Sequence, residues 1–324
     1  MTPDVPDRPF WSVLIPTYEP PVAYLRETLE SVLQQDPGPA EMHIEIVDDA
    51  SPKTDVAALV NTIAGDRIKV TRNPQNLGLA GSWNTCVQRA TGSWIHILHQ
   101  DDLVFPGFYT ELRETIQALP AAGAAFCRHC FIDEQSAWVG LSAIECHEHT
   151  VLADWQYRLT TGQRIQCPSI VVRRSTYEAV GTFRSDLPYC LDWEMWTRIA
   201  ASHPFAYSPR ILAGYRNHRA SETARLGTAG VRLADQVKTF EALVTRLPSE
   251  RRTAARQAFQ RYLAPWGGED ANQAQQMTVA RNGLVDQIAQ GSLPAQWYLT
   301  TPATALWAKL RRRITGKNDL PHAS

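Results

Sequence analysis

Two pairs of adjacent carboxylates carry the first chemical signal in this sequence. Asp48 and Asp49 close the apolar run HIEIV, and Asp101 and Asp102 follow WIHIL within ILHQDDLVFP. Neighbouring acids repel, and at the end of a core strand they lack the water that would screen them. A divalent cation resolves the conflict, because hard oxygen ligands on a loop suit Mg²⁺ or Mn²⁺. Such an ion keeps coordination positions open for water and for the phosphate oxygens of a substrate. Solvated turn acids are the plain alternative for either pair taken singly.

The elements that would position these acids alternate. WSVLIP reads as a strand, and PPVAYLRETLESVLQQ as a helix with Leu25, Leu29 and Val32 or Leu33 on one face. HIEIV is the second strand. Ser51 and Pro52 then read as the start of a helix with Val56, Leu59 or Val60 and Ile63 inward, stopped by Gly65. IKVT is a third strand, Ser82 to Ala90 a third helix and WIHIL a fourth strand. Strand-helix alternation predicts a mostly parallel sheet flanked by helices, with ligands bound beyond the carboxyl ends of the strands. That edge collects Thr17-Tyr18-Glu19, Asp48-Asp49 and Asp101-Asp102 from three separate loops.

Composition bounds the function. The 324 residues carry 32 basic and 33 acidic side chains, a formal net charge of -1, so no global field favours nucleic acid. With 44% hydrophobic residues the chain is a folded one of about two structural units. The first residues, MTPDVPDRPF, lack the apolar segment of a secretory signal, and no stretch reaches the roughly 20 apolar residues of a membrane span; a cytoplasmic location is expected. Six irregularly spaced cysteines suit a reducing compartment. Cys127 and Cys130, followed by Cys146, His147 and His149, could offer zinc ligands, but the second cluster lacks clean spacing and Cys127 reads as a small core residue.

The ordered motifs resemble the family 2 glycosyltransferases. SVLIPTYEP, LRETLESVLQQ, IEIVDDAS, NPQNLGLAGSWN, LHQDDLVFPGF, CPSIVVRRSTYEAVGTF, LPYCLDWEMWTRIA and YRNH match in sequence order from Ser12 to His218. The resemblance implies an α/β GT-A fold: a Rossmann-like, mostly parallel central sheet flanked by helices, here with a helical C-terminal extension. It divides the chain into residues 10–220, the transferase domain, and 221–324, the helical region. Within the first, 10–102 is the nucleotide-sugar half and 103–220 the acceptor half.

The same resemblance implies that Thr17, Tyr18, Asp48, Asp49, Asn84, Asp101 and Arg216 bind the nucleotide sugar. It assigns Mn²⁺ or Mg²⁺ to Asp101, Asp102 and His218, and makes Asp192 the general base. His99 stands where members often carry an Asp; it reads as a structural imidazole or, alternatively, as a ligand for Mn²⁺. Leu191 stands where they often carry a second acid, which leaves Glu194 in reserve. DWEMWTRIA also reads as a helix capped by Asp192.

The implied reaction is an inverting transfer from a nucleoside-diphosphate sugar to a hydroxyl of a glycan or lipid-linked acceptor, in polysaccharide or glycolipid biosynthesis. Two other readings remain: a catalytically silent nucleotide-sugar-binding or scaffold protein, and a nucleotidyltransferase, which lacks here a glycine-rich phosphate loop. Near the end of the chain, TPATALWAKLRRRITGK reads as a helix with Leu306, Leu310 and Ile314 on one face beside Lys309 and Arg311 to Arg313. It either contacts the membrane surface or docks on the domain.

Overall fold

The computed structural model describes residues 8–228 and 231–263. The predicted helix at 301–314 lies outside the described residues, so the membrane-surface reading gains no structural test. Among the described residues no helix is long and apolar enough to cross a membrane.

The strands are β1 (Trp11–Thr17), β2 (Met42–Asp48), β3 (Lys69–Arg72), β4 (Trp94–Ile97), β5 (Leu103–Val104), β6 (Ala124–Ile132), β7 (Trp138–Leu141), β8 (Thr150–Val151), β9 (Ile170–Arg173) and β10 (Phe205–Arg216). The helices are α1 (Val22–Leu33), α2 (Val56–Ala64), α3 (Gly78–Arg89), α4 (Phe108–Ala118), α5 (Trp155–Thr160), α6 (Arg174–Val180), α7 (Leu191–Ala200), α8 (Glu222–Thr228), α9 (Val231–Val244) and α10 (Ser249–Leu263). One sheet runs in the order β3-β2-β1-β4-β9-β6-β10-β5, with β7 on β6 and β8 on β10. The first four strands are mutually parallel, as their alternation with helices requires; β9 enters antiparallel between β4 and β6.

β1 is buried at every residue, because helices cover both faces of the sheet. Val13 and Ile15 face a core shared with Leu25 and Leu29 of α1, Val60 of α2 and Leu112 of α4. Leu14 faces the opposite core, with Trp83 of α3, Trp155 of α5 and Met195 and Trp196 of α7. The two-residue period of the strand thus sorts its side chains between two helical layers.

Several local expectations shift. Asp55, not Ser51, caps α2 by accepting from the Ala58 amide at 2.9 Å; Ser51 instead accepts from the Glu19 amide, also at 2.9 Å. The third helix begins at Gly78, four residues earlier than its apolar face suggests. Asp192 is the second residue of α7 rather than its cap. Cys127 and Cys130 lie three apart on β6 and enter different cores, so the strand period alone keeps their thiols from sharing a zinc ion.

The described helices after residue 220 share a core with the sheet domain. Phe240, Leu243 and Val244 of α9 and Phe259 of α10 pack on Cys190 and Trp193 at the start of α7, with the Phe240 and Phe259 rings stacked 4.0 Å apart. Burial at that seam couples the helical extension to the element that carries Asp192.

Candidate active site

The carboxyl ends of β1, β2 and β4 meet on one rim, and side-chain hydrogen bonds sew their loops together. Gln100, just past β4, accepts from the Tyr18 amide at 2.9 Å and donates to the Tyr18 carbonyl at 3.2 Å. Glu19 accepts through Oε1 from the amides of Lys53 and Thr54, joining the loop after β1 to the loop after β2. Glu19 has φ of 44°, a left-handed conformation that these bonds hold in place. Thr17 is buried, with its hydroxyl on the Ile15 carbonyl, whereas the Tyr18 ring is 45% exposed at the rim.

Asp48 and Asp49 are both buried, and both carboxylates are committed within the protein. Asp48 accepts from the Ser51 amide at 3.0 Å and pairs with Arg72 of β3. Asp49 accepts from Asn73 Nδ2 at 2.7 Å and from the amides of Leu77 and Gly78 at 2.9 and 3.0 Å. It therefore ties the β3–α3 loop and the positive end of α3 to the β2 exit. Repulsion between these neighbours is offset by separate donors.

The second pair has a different environment. Asp101 Oδ2 lies 2.8 Å from His218 Nε2, and Asp102 Oδ1 accepts from the Arg216 amide at 2.8 Å. Asp102 Oδ2 and His99 Nε2 are buried with no hydrogen-bond partner among the described residues, and His99 Nδ1 is 3.4 Å from Asp102 Oδ2. Burial, opposed by His99, raises the Asp102 pKa to about 6. Burial also works against charge on His99, but Cys167 and Asp102 outweigh it and raise its proton affinity.

His99, Asp101 and Asp102 can each offer one ligand atom, all within 4.8 Å of one another. Two carboxylates and one imidazole with orphaned buried atoms fit a divalent cation, which would satisfy both. His99 is thus the third member of this group, while His218, the histidine expected among the ligands, meets Asp101 Oδ2 through its Nε2. The Trp83 ring lies 4.9 Å from the His99 ring and fixes its plane.

Two expected donor contacts are replaced by internal struts. Arg216 is 1% exposed, its guanidinium donating to the Asp101 carbonyl, the Asp133 carbonyl, Ser136 Oγ and Glu27 Oε2 while lying 4.4 Å above the Tyr24 ring. With its nitrogens so engaged, it holds the Asp101–Asp102 turn. Asn84 uses both ends of its amide on Phe183: Nδ2 donates to the carbonyl at 3.0 Å, and Oδ1 accepts from the amide at 2.8 Å. It clamps the segment leading into α7.

Asp192 stands in the first turn of α7. Its Oδ1 accepts from the Trp193 amide at 2.7 Å, and its Oδ2 accepts from Gln163 Nε2 at 2.7 Å. Burial raises its pKa to about 6, against the lowering effect of these bonds and of the nearby His99 charge. A carboxylate with raised proton affinity that remains ionised at neutral pH is suited to removing a proton. Glu194, the reserve candidate, is fully buried and paired with Arg198.

Gln163 and Asp235 escaped the sequence reading. Asp235 of α9 accepts from the amides of Tyr189 and Cys190, both at 2.8 Å, and so holds the turn that leads into the helix carrying Asp192 from 45 residues away in the chain. No local pattern marks either residue, because their partners are distant in sequence.

An uncharacterized protein of Mycobacterium tuberculosis (strain CDC 1551 / Oshkosh) is 27% identical over 250 residues, covering 74% of this chain and 77% of the relative. Among solved structures, S. aureus TarS 1-349 in complex with UDP-GlcNAc superposes with a TM-score of 0.60 at 16% identity, over 78% of this chain and 71% of that one. The mannosyltransferase PcManGT from Pyrobaculum calidifontis, in complex with GDP-Man and Mn²⁺, gives a TM-score of 0.55 at 21% identity, over 95% and 84%. These similarities establish the GT-A fold. The glycosyl transferase family 2 model matches residues 12–184, more than half of the chain, and the chain belongs to that family.

Proposed function

We propose that this glycosyltransferase is an inverting enzyme that moves a sugar from a nucleoside-diphosphate donor to a hydroxyl acceptor, with Asp192 as the base. The observation that carries the reading is the pairing of two unlike acidic centres. His99, Asp101 and Asp102 form a cluster with orphaned ligand atoms, and Asp192 is a lone carboxylate of raised proton affinity within electrostatic reach of His99.

Tyr18 offers an exposed ring at the rim for the base of the nucleotide. Asp48 and Asp49 act on the nucleoside through the loops they hold. Asp101, Asp102 and His99 would hold a divalent cation, and the imidazole favours Mn²⁺ over Mg²⁺. When bound, that ion neutralises charge developing on the leaving diphosphate. Arg216, Asn84, His218 and Asp235 keep the donor side and the base in register.

In the transfer, Asp192 accepts the proton of the acceptor hydroxyl as its oxygen attacks the anomeric carbon. The bond to the diphosphate breaks with its electron pair on the departing oxygen, and attack from the opposite face inverts the centre. Gln163 orients the carboxylate by donating from Nε2 to Asp192 Oδ2. A glycan or lipid-linked acceptor at the membrane surface, in polysaccharide or glycolipid assembly, fits a chain whose basic segment Lys309 to Arg313 follows the described residues.

UDP-GlcNAc and GDP-Man, the donors held by the two structural relatives, are the first to test. Calorimetry with and without Mn²⁺, followed by NMR of the product anomer, decides the matter. Saturable, Mn²⁺-dependent binding and an inverted product are expected. Binding of neither donor nor of the parent nucleotides would defeat the proposal, and a retained anomer would defeat its inverting mechanism.

A further inference from the structure

On the other side of Asp192 lies a group of arginines that the transfer chemistry leaves unused. The Glu145 side chain is 4% exposed and is gripped by two guanidinium groups. Arg158 donates to Oε2, and Arg164 donates to Oε1 at 3.1 Å. Arg158 and Arg164 keep 31% and 34% of their side-chain surface exposed, so both reach solvent while anchored. A third cation stands behind them. Arg128 of β6 is 1% exposed and donates through Nη2 to the Ser142 carbonyl at 2.8 Å, while its Nε and Nη1 have no partner among the described residues. It interacts electrostatically with Glu145, and burial lowers its pKa.

A guanidinium buried without a counter-charge is unfavourable. Glu145 already serves two other arginines, so one carboxylate faces three cations. The excess of positive charge is open to solvent only at Arg158 and Arg164. Such an arrangement is complementary to an oxyanion, which could meet the two accessible guanidinium groups directly and the field of the third at longer range.

The location assigns the anion to a reactant. Gln163 holds Asp192, and the next residue, Arg164, holds Glu145. Arg158 belongs to α5, whose Leu159 carbonyl accepts from Trp193 Nε1 at 2.6 Å in the helix that carries the base. The cluster therefore adjoins the base rather than the rim formed by β1, β2 and β4. We propose that Arg158, Arg164 and Arg128 form a subsite for a phosphate or carboxylate group on the acceptor, so that the acceptor of this enzyme is acidic. The inference rests on the transferase reading, since it takes the Asp192 side as the acceptor side.

The test uses the full chain in buffer with EDTA, titrated calorimetrically with glycerol 3-phosphate, glucuronate and glycerol as probes. Saturable binding of glycerol 3-phosphate, of glucuronate or of both is expected, with none for glycerol; the preferred anion tells a phosphate-bearing acceptor from a uronate one. The double substitution Arg158→Gln, Arg164→Gln should weaken the anion by about tenfold or more. Nucleoside diphosphate with Mn²⁺ should bind the variant unchanged, which also reports that it is folded. Arg164→Lys, which keeps the charge but loses the planar fork, should lie between. Absence of anion binding, or equal binding by the double variant, overturns the inference. Failure of the native chain to bind any nucleotide with Mn²⁺ overturns the parent reading instead, so the two failures are distinct.

Discussion

Replacing Asp192 by Asn tests the base assignment because the structure separates its catalytic role from its structural one. The carboxylate accepts two hydrogen bonds, from the Trp193 amide and Gln163 Nε2. The introduced amide keeps one acceptor for Trp193, and its NH₂ can donate to Gln163 once that amide reverses, since Gln163 Oε1 has no partner among the described residues. Burial lifts the pKa of Asp192 from 3.8 to about 6, so the ionised form is disfavoured in the folded state by roughly 3 kcal/mol at ~1.36 kcal/mol per unit. A raised carboxylate pKa means that the folded state holds the proton more tightly. This group therefore favours folding as pH falls through 6 and opposes it at pH 7. Removing the charge should leave the melting temperature at pH 7 unchanged or raised, while turnover falls by about 10²–10⁴, the usual worth of a positioned base.

The native enzyme supplies a matching signature. Activity requires the ionised form, so kcat/KM should fall on the acid side with a midpoint near 6 and by about tenfold per unit below it. An unperturbed aspartate would hold activity to about pH 4. Initial rates of nucleoside-diphosphate release across pH, paired with thermal melts of both proteins, measure all of this. An Asp192→Asn enzyme that keeps more than about a tenth of native turnover would refute the assignment, and an acid midpoint near 4 would refute the role of burial.

Three further outcomes are expected. Asp102→Ala removes a buried oxygen from the His99–Asp101–Asp102 cluster, so Mn²⁺-dependent donor binding should weaken by about tenfold or more in calorimetry, with little change in its absence. Asn84→Ala frees the Phe183 amide and carbonyl; a stability loss of about 1–3 kcal/mol in urea unfolding should accompany lower kcat, and the nucleotide affinity should hold. Arg216→Met strips donors from Asp101, Asp133, Ser136 and Glu27 in a buried setting, and should cost roughly 3–5 kcal/mol by the same method. If Arg216 acted instead on the diphosphate, donor affinity would drop and stability would remain.

Much of the donor half was legible in the sequence because it is local. β1, β2 and β4 are apolar runs that end in polar turns, and α1 and α2 show one inward face each; parallel pairing then puts their carboxyl ends on a common rim. The acid pair of the His99–Asp101–Asp102 group was legible at a strand exit, but the place of the imidazole beside it was not. His99 could be either ligand or structural imidazole until the fold set its Nδ1 3.4 Å from Asp102 Oδ2 and left its Nε2 buried with no hydrogen-bond partner among the described residues.

The chain alone determined the kind of fold and which residue types stand at its reactive edge, since periodicity and turn chemistry act over a few neighbours. Only the tertiary structure decided which of those side chains remain free to act. Asn84 and Arg216 carry groups that could bind a donor, yet each meets partners about 80 or more residues away that use up its hydrogen bonds. Asp235, Gln163 and the arginines around Glu145 gain their roles the same way, through burial that brings distant charges together. Availability of a polar group depends on its partners, and partners are a property of packing.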